Sequence, residues 1–264
     1  IFDENAMVAI GSAGVIIKTT DGGDTWKMRY QGSGRGGLLF DIFFVDDSYG
    51  WAVGNNGTVL RTIDGGDTWN SHFIDTDAHL TSVYFASKRI GYIVGSDSVV
   101  WKSTNSGFTW RRLRSGTTAI LNDVQFLDTI NGWAVGSRTD LIPCAICPTD
   151  SGIVLQTTDG GDSWLSHPFT ILDRYKSVQF IDENHGWVLG NFTILRTTNG
   201  GTTWQELDFK NVFHFQSIDF IDSRNGWAFS SNAILQTTDG GQSWQEQYTQ
   251  QFVYFNTVQF LDAH

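Results

Sequence analysis

The sequence is poor in most of the residues that would tie its 264 positions to a familiar chemistry. Cysteine occurs only at Cys144 and Cys147, so no disulfide framework can hold the chain together, although a local bridge is open to it. The six histidines (72, 79, 167, 185, 214 and 264) share no ligand spacing, and no metal site is expected. Positive charge is short: 17 Lys and Arg face 28 Asp and Glu, for a net charge of −11. A surface that acidic repels phosphate backbones, which argues against nucleic acid as a partner. No apolar run approaches the roughly 20 residues of a membrane span, so no transmembrane segment is expected. Charged residues of both signs make up only 17% of the chain against 40% hydrophobic, which favours a sizeable core over disorder. The chain begins at Ile1 and carries no signal peptide, and it reads as a segment of a longer precursor.

What is present in quantity is glycine (29), tryptophan (11) and phenylalanine (19). Many glycines among many aromatics predict tight turns between short aromatic-rich strands, an all-β fold. One octet recurs six times: 19–26 (TTDGGDTW), 62–69 (TIDGGDTW), 103–110 (STNSGFTW), 157–164 (TTDGGDSW), 197–204 (TTNGGTTW) and 237–244 (TTDGGQSW). The successive spacings are 43, 41, 54, 40 and 40 residues, a period that fits one four-stranded propeller blade. A second motif interleaves with the first at 44–54 (FVDDSYGWAVG), 85–95 (FASKRIGYIVG), 126–136 (FLDTINGWAVG), 180–190 (FIDENHGWVLG) and 220–230 (FIDSRNGWAFS). Each blade then parses into four strands. The first ends at the Phe, the second is the Gly-Trp-Ala-Val stretch, the third runs into the octet, and the fourth leaves from its Trp.

The ends of the chain set the blade count. Residues 1–11 align with the second motif but have no first strand ahead of them, and 256–262 (NTVQFLD) make a first strand with nothing after it. Pairing the two would complete the first blade and hide the edges of an open array. The expectation is one six-bladed β-propeller domain over 1–264, with blades near 1–31 plus 252–264, 38–75, 79–115, 119–170, 174–209 and 213–250. Ten of the eleven tryptophans sit at repeat positions, and the eleventh, Trp101, replaces Leu60 of the preceding blade. Aromatics at strict repeat spacing read as inter-blade core, although a row of them also suits a sugar platform.

The third octet position is Asp21, Asp64, Asn105, Asp159, Asn199 and Asp239. A short carboxylate there can accept bonds from the turn's own amides, Gly22 and Gly23 allow positive φ, and Trp26 is expected to bury its ring beneath the turn. Asparagine makes similar bonds without a charge, an exchange a catalytic carboxylate would not tolerate. These residues therefore read as structural. The pattern Ser/Thr-x-Asp-x-Gly-x-Thr-Trp resembles the Asp-box, or bacterial neuraminidase repeat, of sialidases, sortilin-type receptors, some xyloglucan-degrading enzymes and photosystem II assembly and stability factors. The last family is the best match, because it alternates a similar F-x-D-x-x-x-G-W-A-V-G strand pair with the octet. The resemblance spans the chain except 137–151 and implies a propeller that binds protein, with no catalytic residue and no cofactor. It also implies an exported location, whether periplasmic, thylakoid-lumenal or extracellular, and a partner such as a membrane protein complex.

Two other classes are open to the sequence. Sialidases need an arginine triad, a Tyr–Glu pair and an Asp acid, and other glycosidases need two carboxyl groups roughly 5–10 Å apart. The only glutamates are Glu4, Glu183, Glu206 and Glu246, and the last three fall on repeat positions. The Arg-Ile-Pro segment that precedes the first box of sialidases has no match. A structural domain of a secreted surface protein is the remaining alternative. The glycines around Arg35 lie between blades with no helix after them, so they make no phosphate loop.

Function in a propeller is sought where the repeat breaks. Residues 137–151 (SRTDLIPCAICPTDS) lengthen blade four and hold two of the three prolines, both cysteines and an exposed-looking Leu141-Ile142 pair. The Cys144–Cys147 pair suits a redox motif, half a zinc site or a loop-closing disulfide. Nothing nearby is helical as a redox motif needs, and zinc needs two further ligands. A disulfide in an oxidising compartment is favoured, ahead of free thiols in a reducing one. Blade three gathers Lys88, Arg89, Lys102, Arg111, Arg112 and Arg114 against Asp97 alone, 6 − 1 = +5 on a molecule of −11. The bland reading is a solvated outer strand. The sharper one, with Leu141 and Ile142 added, is a docking surface for an acidic protein partner.

Overall fold

The computed structural model describes residues 5–32, 37–139, 150–167, 173–207, 214–230 and 233–249. Blade one holds β1 (Met7–Ile10), β2 (Val15–Thr19) and β3 (Lys27–Gln31). Blade two holds β4 (Leu39–Phe44), β5 (Gly50–Gly54), β6 (Thr58–Thr62) and β7 (Asn70–Phe73). Blade three follows with β8 (Leu80–Phe85), β9 (Gly91–Gly95), β10 (Val99–Ser103) and β11 (Arg111–Arg114). Blade four is β12 (Ile120–Phe126), β13 (Gly132–Thr139), β14 (Asp150–Thr157) and β15 (Leu165–His167). Blade five is β16 (Tyr175–Phe180), β17 (Gly186–Gly190), β18 (Ile194–Thr197) and β19 (Gln205–Glu206). Blade six is β20 (Phe215–Phe220), β21 (Gly226–Ser230), β22 (Ala233–Thr237) and β23 (Gln245–Thr249).

Each sheet pairs its strands in chain order: five have four strands, and blade one has three among the described residues. Every register in hand is antiparallel, as tight hairpins require. Six such sheets in tandem make the fold a six-bladed β-propeller. The segment expected to complete blade one, 256–262, lies outside the described residues. The chain divides into two compact units, one of Ile1–Ala134 with Thr157–Ser166 and one of Val135–Gln156 with His167–His264.

The second motif explains how sheets become blades. In each described first hairpin the Phe pairs directly with the Gly of the next strand, as Phe44 with Gly50, Phe85 with Gly91 and Phe180 with Gly186. The ring lies flat over that glycine: a Cβ at Gly50 would sit 2.4 Å from Phe44. The aromatic after the Gly then stacks on the Phe of the following blade. Within the first unit Trp51 stacks on Phe85 at 3.4 Å and Tyr92 on Phe126 at 3.6 Å, and within the second Trp187 stacks on Phe220 at 3.7 Å. The octet Trp of the same blade closes each Phe edge-on, as Trp110 does to Phe85 and Trp244 to Phe220. The edge-on contacts are the arrangement a ring's quadrupole favours, and the flat ones bury both ring faces against each other. Trp26 is the exception, at 42% exposed. The phenylalanine that the repeat assigns to its blade, Phe260, is outside the described residues.

The first strands bulge once, between Leu39 and Asp41 in β4 and at matching places in β8, β16 and β20. A bulge re-aims the residues around it. Here it turns them toward the neighbouring first strand: Thr81 Oγ1 donates to Leu121 O, and the amide of Val83 donates to Asp41 Oδ2 at 2.8 Å.

Candidate functional site

The octets come first because they account for most of the polar residues. In the second box Thr62, fully buried, donates its hydroxyl to Asp64 Oδ1 (2.8 Å) and accepts the amide of Gly66 (2.9 Å). Asp64 accepts the Thr68 amide on one oxygen (2.9 Å) and the Thr68 hydroxyl on the other (2.6 Å). The first, fourth and sixth boxes repeat this set around Asp21, Asp159 and Asp239. In the third and fifth boxes the second bond turns round. The amide nitrogens of Asn105 and Asn199 donate to Thr109 and Thr203, both at 2.9 Å, and the turn is otherwise unchanged. A hydroxyl accepts as readily as it donates, so the position tolerates either residue. The hydroxyls of Thr19 and Thr25 hold the Asp21 carboxyl down to about 2, and the Ser163 hydroxyl does the same for Asp159.

The turn residues need positive φ, 69° at Gly65 and 88° at Gly66, and the third box accommodates Ser106 at 62°. The fourth residue of each box, glycine in five and Ser106 in the third, donates its amide to the turn ahead of its blade's second strand, for example Gly65 to Ser48 O at 2.9 Å and Gly240 to Arg224 O at 2.7 Å. Those first hairpins carry a carboxylate device of their own. Asp46, Asp128, Asp182 and Asp222 each accept two successive amides, as Asp128 does from Ile130 and Asn131 at 2.7 Å. The third-position residues of the octets and the hairpin aspartates Asp46, Asp128, Asp182 and Asp222 are thus engaged in local turns.

A third device was missed in the sequence. The residue before the first Thr or Ser of each octet is long and polar, namely Lys18, Arg61, Lys102, Gln156, Arg196 and Gln236. Five of these reach the box of the next blade. Lys18 pairs with Asp67 at 3.2 Å, Lys102 donates to Gly160 O at 2.7 Å, and Gln156 donates to Gly200 O at 2.9 Å. Arg196 lies against Gly240, its Nη2 2.7 Å from where a Cβ would stand. Arg61 meets Phe108 in the place of a carboxylate and puts its guanidinium 4.3 Å from the ring centre, a cation–π contact. The signal was present as a fixed offset from the octet, but the mixture of Lys, Arg and Gln concealed it.

This device divides the basic residues of blade three. Lys102 and Arg111, paired across β10 and β11, both face blade four, where Arg111 meets Asp162 at 2.8 Å. Lys88, in the first hairpin, is ion-paired with Asp46 of blade two and lies 4.9 Å from the Tyr49 ring centre. The Asp46 hydrogen bond raises its pKa. Arg89 is exposed beside it, and its carbonyl accepts the Ser106 amide at 2.9 Å. Arg112 and Arg114 stand on the other face of β11, because side chains alternate along a strand and the intervening Leu113 is buried. They are near the end of the blade opposite the box. Arg112 reaches only the Asp97 carbonyl, at 3.5 Å, and Arg114 has no side-chain partner among the described residues. Together with Ser98 and the 115–117 connector they line a groove of about 520 Å³. The six basic residues therefore form no single patch: Lys88 and Arg89 sit at the box end, Lys102 and Arg111 at the blade interface, and Arg112 and Arg114 at the far end. Leu141, Ile142, Cys144 and Cys147 lie outside the described residues. Among the described residues no cluster of three His, Cys, Asp or Glu side chains could hold a metal ion, and no helix is long and apolar enough to cross a membrane.

The family described as photosynthesis system II assembly factor YCF48 matches residues 33–118 and 168–253, more than half of the chain. No curated protein matches it. A structure of YCF48 bound to D1 peptide has a TM-score of 0.75 at 19% identity, over 98% of this chain and 84% of that one. YCF48 from Cyanidioschyzon merolae gives 0.68 at 20%, over 94% and 83%. An ancestral GH74 enzyme gives 0.67 at 16%, over 86% of this chain but only 34% of the enzyme. At these identities the structural likeness is one of fold. The octets, the Phe–Gly–Trp strand pairs and the two sequence matches together settle the assignment: the chain belongs to the photosynthesis system II assembly factor YCF48 family.

Proposed function

We propose that this chain is an exported assembly scaffold that docks an acidic segment of a protein partner on blade three, the partner being a subunit of a membrane-associated complex. The observation that carries this reading is the pair Arg112 and Arg114. Both are exposed on an edge strand, neither is neutralised by a carboxylate among the described residues, and both belong to a molecule of net charge −11. Guanidinium groups bind carboxylates in a planar fork, and a positive groove on an otherwise negative surface steers an acidic segment to one place. That a YCF48 propeller has been seen with D1 peptide supports a peptide as the occupant. Lys88, Arg89, Lys102 and Arg111 contribute to the field around the groove and not to direct contact. Leu141 and Ile142 of the blade-four insertion are proposed as apolar contacts to the partner, and Cys144 and Cys147 as a bridge that closes the insertion.

Binding of the partner segment, followed by fluorescence anisotropy at low and high salt, tests the proposal. Reversing Arg112 and Arg114 to Glu should abolish binding, and reversing Arg111 should weaken it little. Equal affinity for wild type and the Arg112→Glu/Arg114→Glu protein would sink it. The bridge predicts no mass gain on alkylation unless a reductant is added first.

A further inference from the structure

The contact between neighbouring blades at the box end has two parts, the long polar residue ahead of one octet and the sixth position of the next octet. That sixth position is Asp24, Asp67, Phe108, Asp162, Thr202 and Gln242. Two of its aspartates take cations from the preceding blade. Asp67 accepts both Lys18 (3.2 Å) and Arg29 (3.0 Å), and Asp162 accepts Arg111 (2.8 Å). Between blades two and three the third box presents the ring of Phe108 instead, and Arg61 is left without the carboxylate that the neighbouring boxes supply.

The consequence is a buried cation that lacks an anion. Arg61 is only 8% exposed, and its Nε is enclosed with no acceptor. Its guanidinium lies 4.3 Å from the Phe108 ring centre and 5.8 Å from that of Tyr49, and no ion pair or hydrogen bond holds it among the described residues. Burial lowers its pKa, yet a guanidinium stays charged at neutral pH. The other cation at this place, Lys88, is already paired with Asp46. Aromatic rings offset part of the cost of burying a charge, but they accept no planar fork, so the N–H groups of Arg61 keep their capacity for an oxyanion.

We infer that Arg61 is the seat of one carboxylate, brought by an acidic side chain of a protein partner that docks at the box end between blades two and three. The repeat itself names the missing chemistry, since aspartate fills the sixth position in the boxes on either side. Phe108 points to a protein as the source. Its ring is 57% exposed, an apolar surface that a free anion would leave in water and that a residue flanking the acid would cover. The seat lies at the end of the blade opposite Arg112 and Arg114 and does not depend on the groove they line.

Nuclear magnetic resonance of the full chain tests this, through the Arg61 Nε–H signal and the backbone amides of residues 107–109. Three probes are compared at constant ionic strength: sodium acetate, acetyl-Asp-Leu-amide and acetyl-Asn-Leu-amide. The Asp peptide is expected to shift these signals saturably and to bind about ten-fold tighter than acetate, the gain from one covered apolar contact. The Asn peptide should leave them in place. Arg61→Gln should remove the response at the three amides, and the fold accepts it because Gln156 and Gln236 hold this position in other blades. Phe108→Asp supplies the carboxylate from within, so it should abolish the response and raise the unfolding midpoint by about 2–4 °C. Arg112→Glu/Arg114→Glu should respond as wild type does, and a response lost in that variant would belong to the other groove and overturn the seat. Equal shifts with the Asp and Asn peptides, or shifts that survive Arg61→Gln, also overturn it. Acetate bound as tightly as the Asp peptide overturns the protein source.

Discussion

The two ends of each blade obey different constraints. At the box end the same bonds recur blade after blade: an octet hydroxyl on its Asp or Asn, the amide of the fourth box residue on the first hairpin, and a long polar side chain from the preceding blade on the box. At the opposite end the connectors share an amide-to-threonine hydroxyl bond, but their exposed side chains run from Phe73 and Asp75 in blade two to Arg112 and Arg114 in blade three. Repetition marks what the blades need to stand. Variation on a shared backbone marks where selection was free to build a binding surface, and the proposed site lies there.

The sharpest way to test that division is to break the aromatic column. Phe85 is 2% exposed between Trp51 and Trp110, so Phe85→Ala should cost about 3–5 kcal/mol in urea unfolding. A loss no larger than that of an exposed substitution would mean that the column is not what holds blades two and three together. Next in size is the box. Thr62→Val keeps the volume but strands the Gly66 amide, and should cost about 1–3 kcal/mol, whereas Asp64→Asn should cost less because two native boxes already use asparagine. If both substitutions cost the same, the carboxylate has a role beyond the turn.

A smaller effect separates the inner strands from the boxes by pH. Burial and the neighbouring charge of Asp123 push the Asp41 carboxyl up to about 6. A carboxylate whose folded pKa lies above the unfolded value penalises the fold when charged, so stability should rise as pH falls from about 6 toward 3.8. The box carboxyls at Asp21 and Asp159, held near 2, act oppositely: their contribution is present above 3.8 and is lost as pH falls through 2. Unfolding midpoints measured against pH should therefore peak in mild acid, and Asp41→Asn should remove the rise. A rise that persists in Asp41→Asn would assign it to another group. The smallest effect belongs to the far end. Arg112→Glu/Arg114→Glu should change stability by no more than about 0.5 kcal/mol per site while removing partner binding. A large loss of stability would place those arginines among the structural residues.

Several features were legible before any coordinates. The octet period specified blades, and the Phe and Gly-Trp motif placed the strands, because a glycine ahead of an aromatic at fixed spacing is a local pattern. The inter-blade clasp at Lys18, Arg61 and Lys102 escaped notice, since a reach of one blade joins residues 47 to 58 positions apart and accepts a cation, an amide or a cation–π pair alike. The basic count of blade three was correct as arithmetic, but it joined residues that face different neighbours.

By itself, then, the sequence determined the all-β fold, the repeat unit and the turn chemistry, all of which depend on residues within a few positions of each other. Only the tertiary structure decided which charges are already spoken for. Alternation along β11 sends Arg111 to Asp162 and leaves Arg112 and Arg114 facing outward, and the folding of the connector over the 2–3 turn gives them a groove. Neighbours set the availability of a side chain, and in a propeller the deciding neighbour is one blade away.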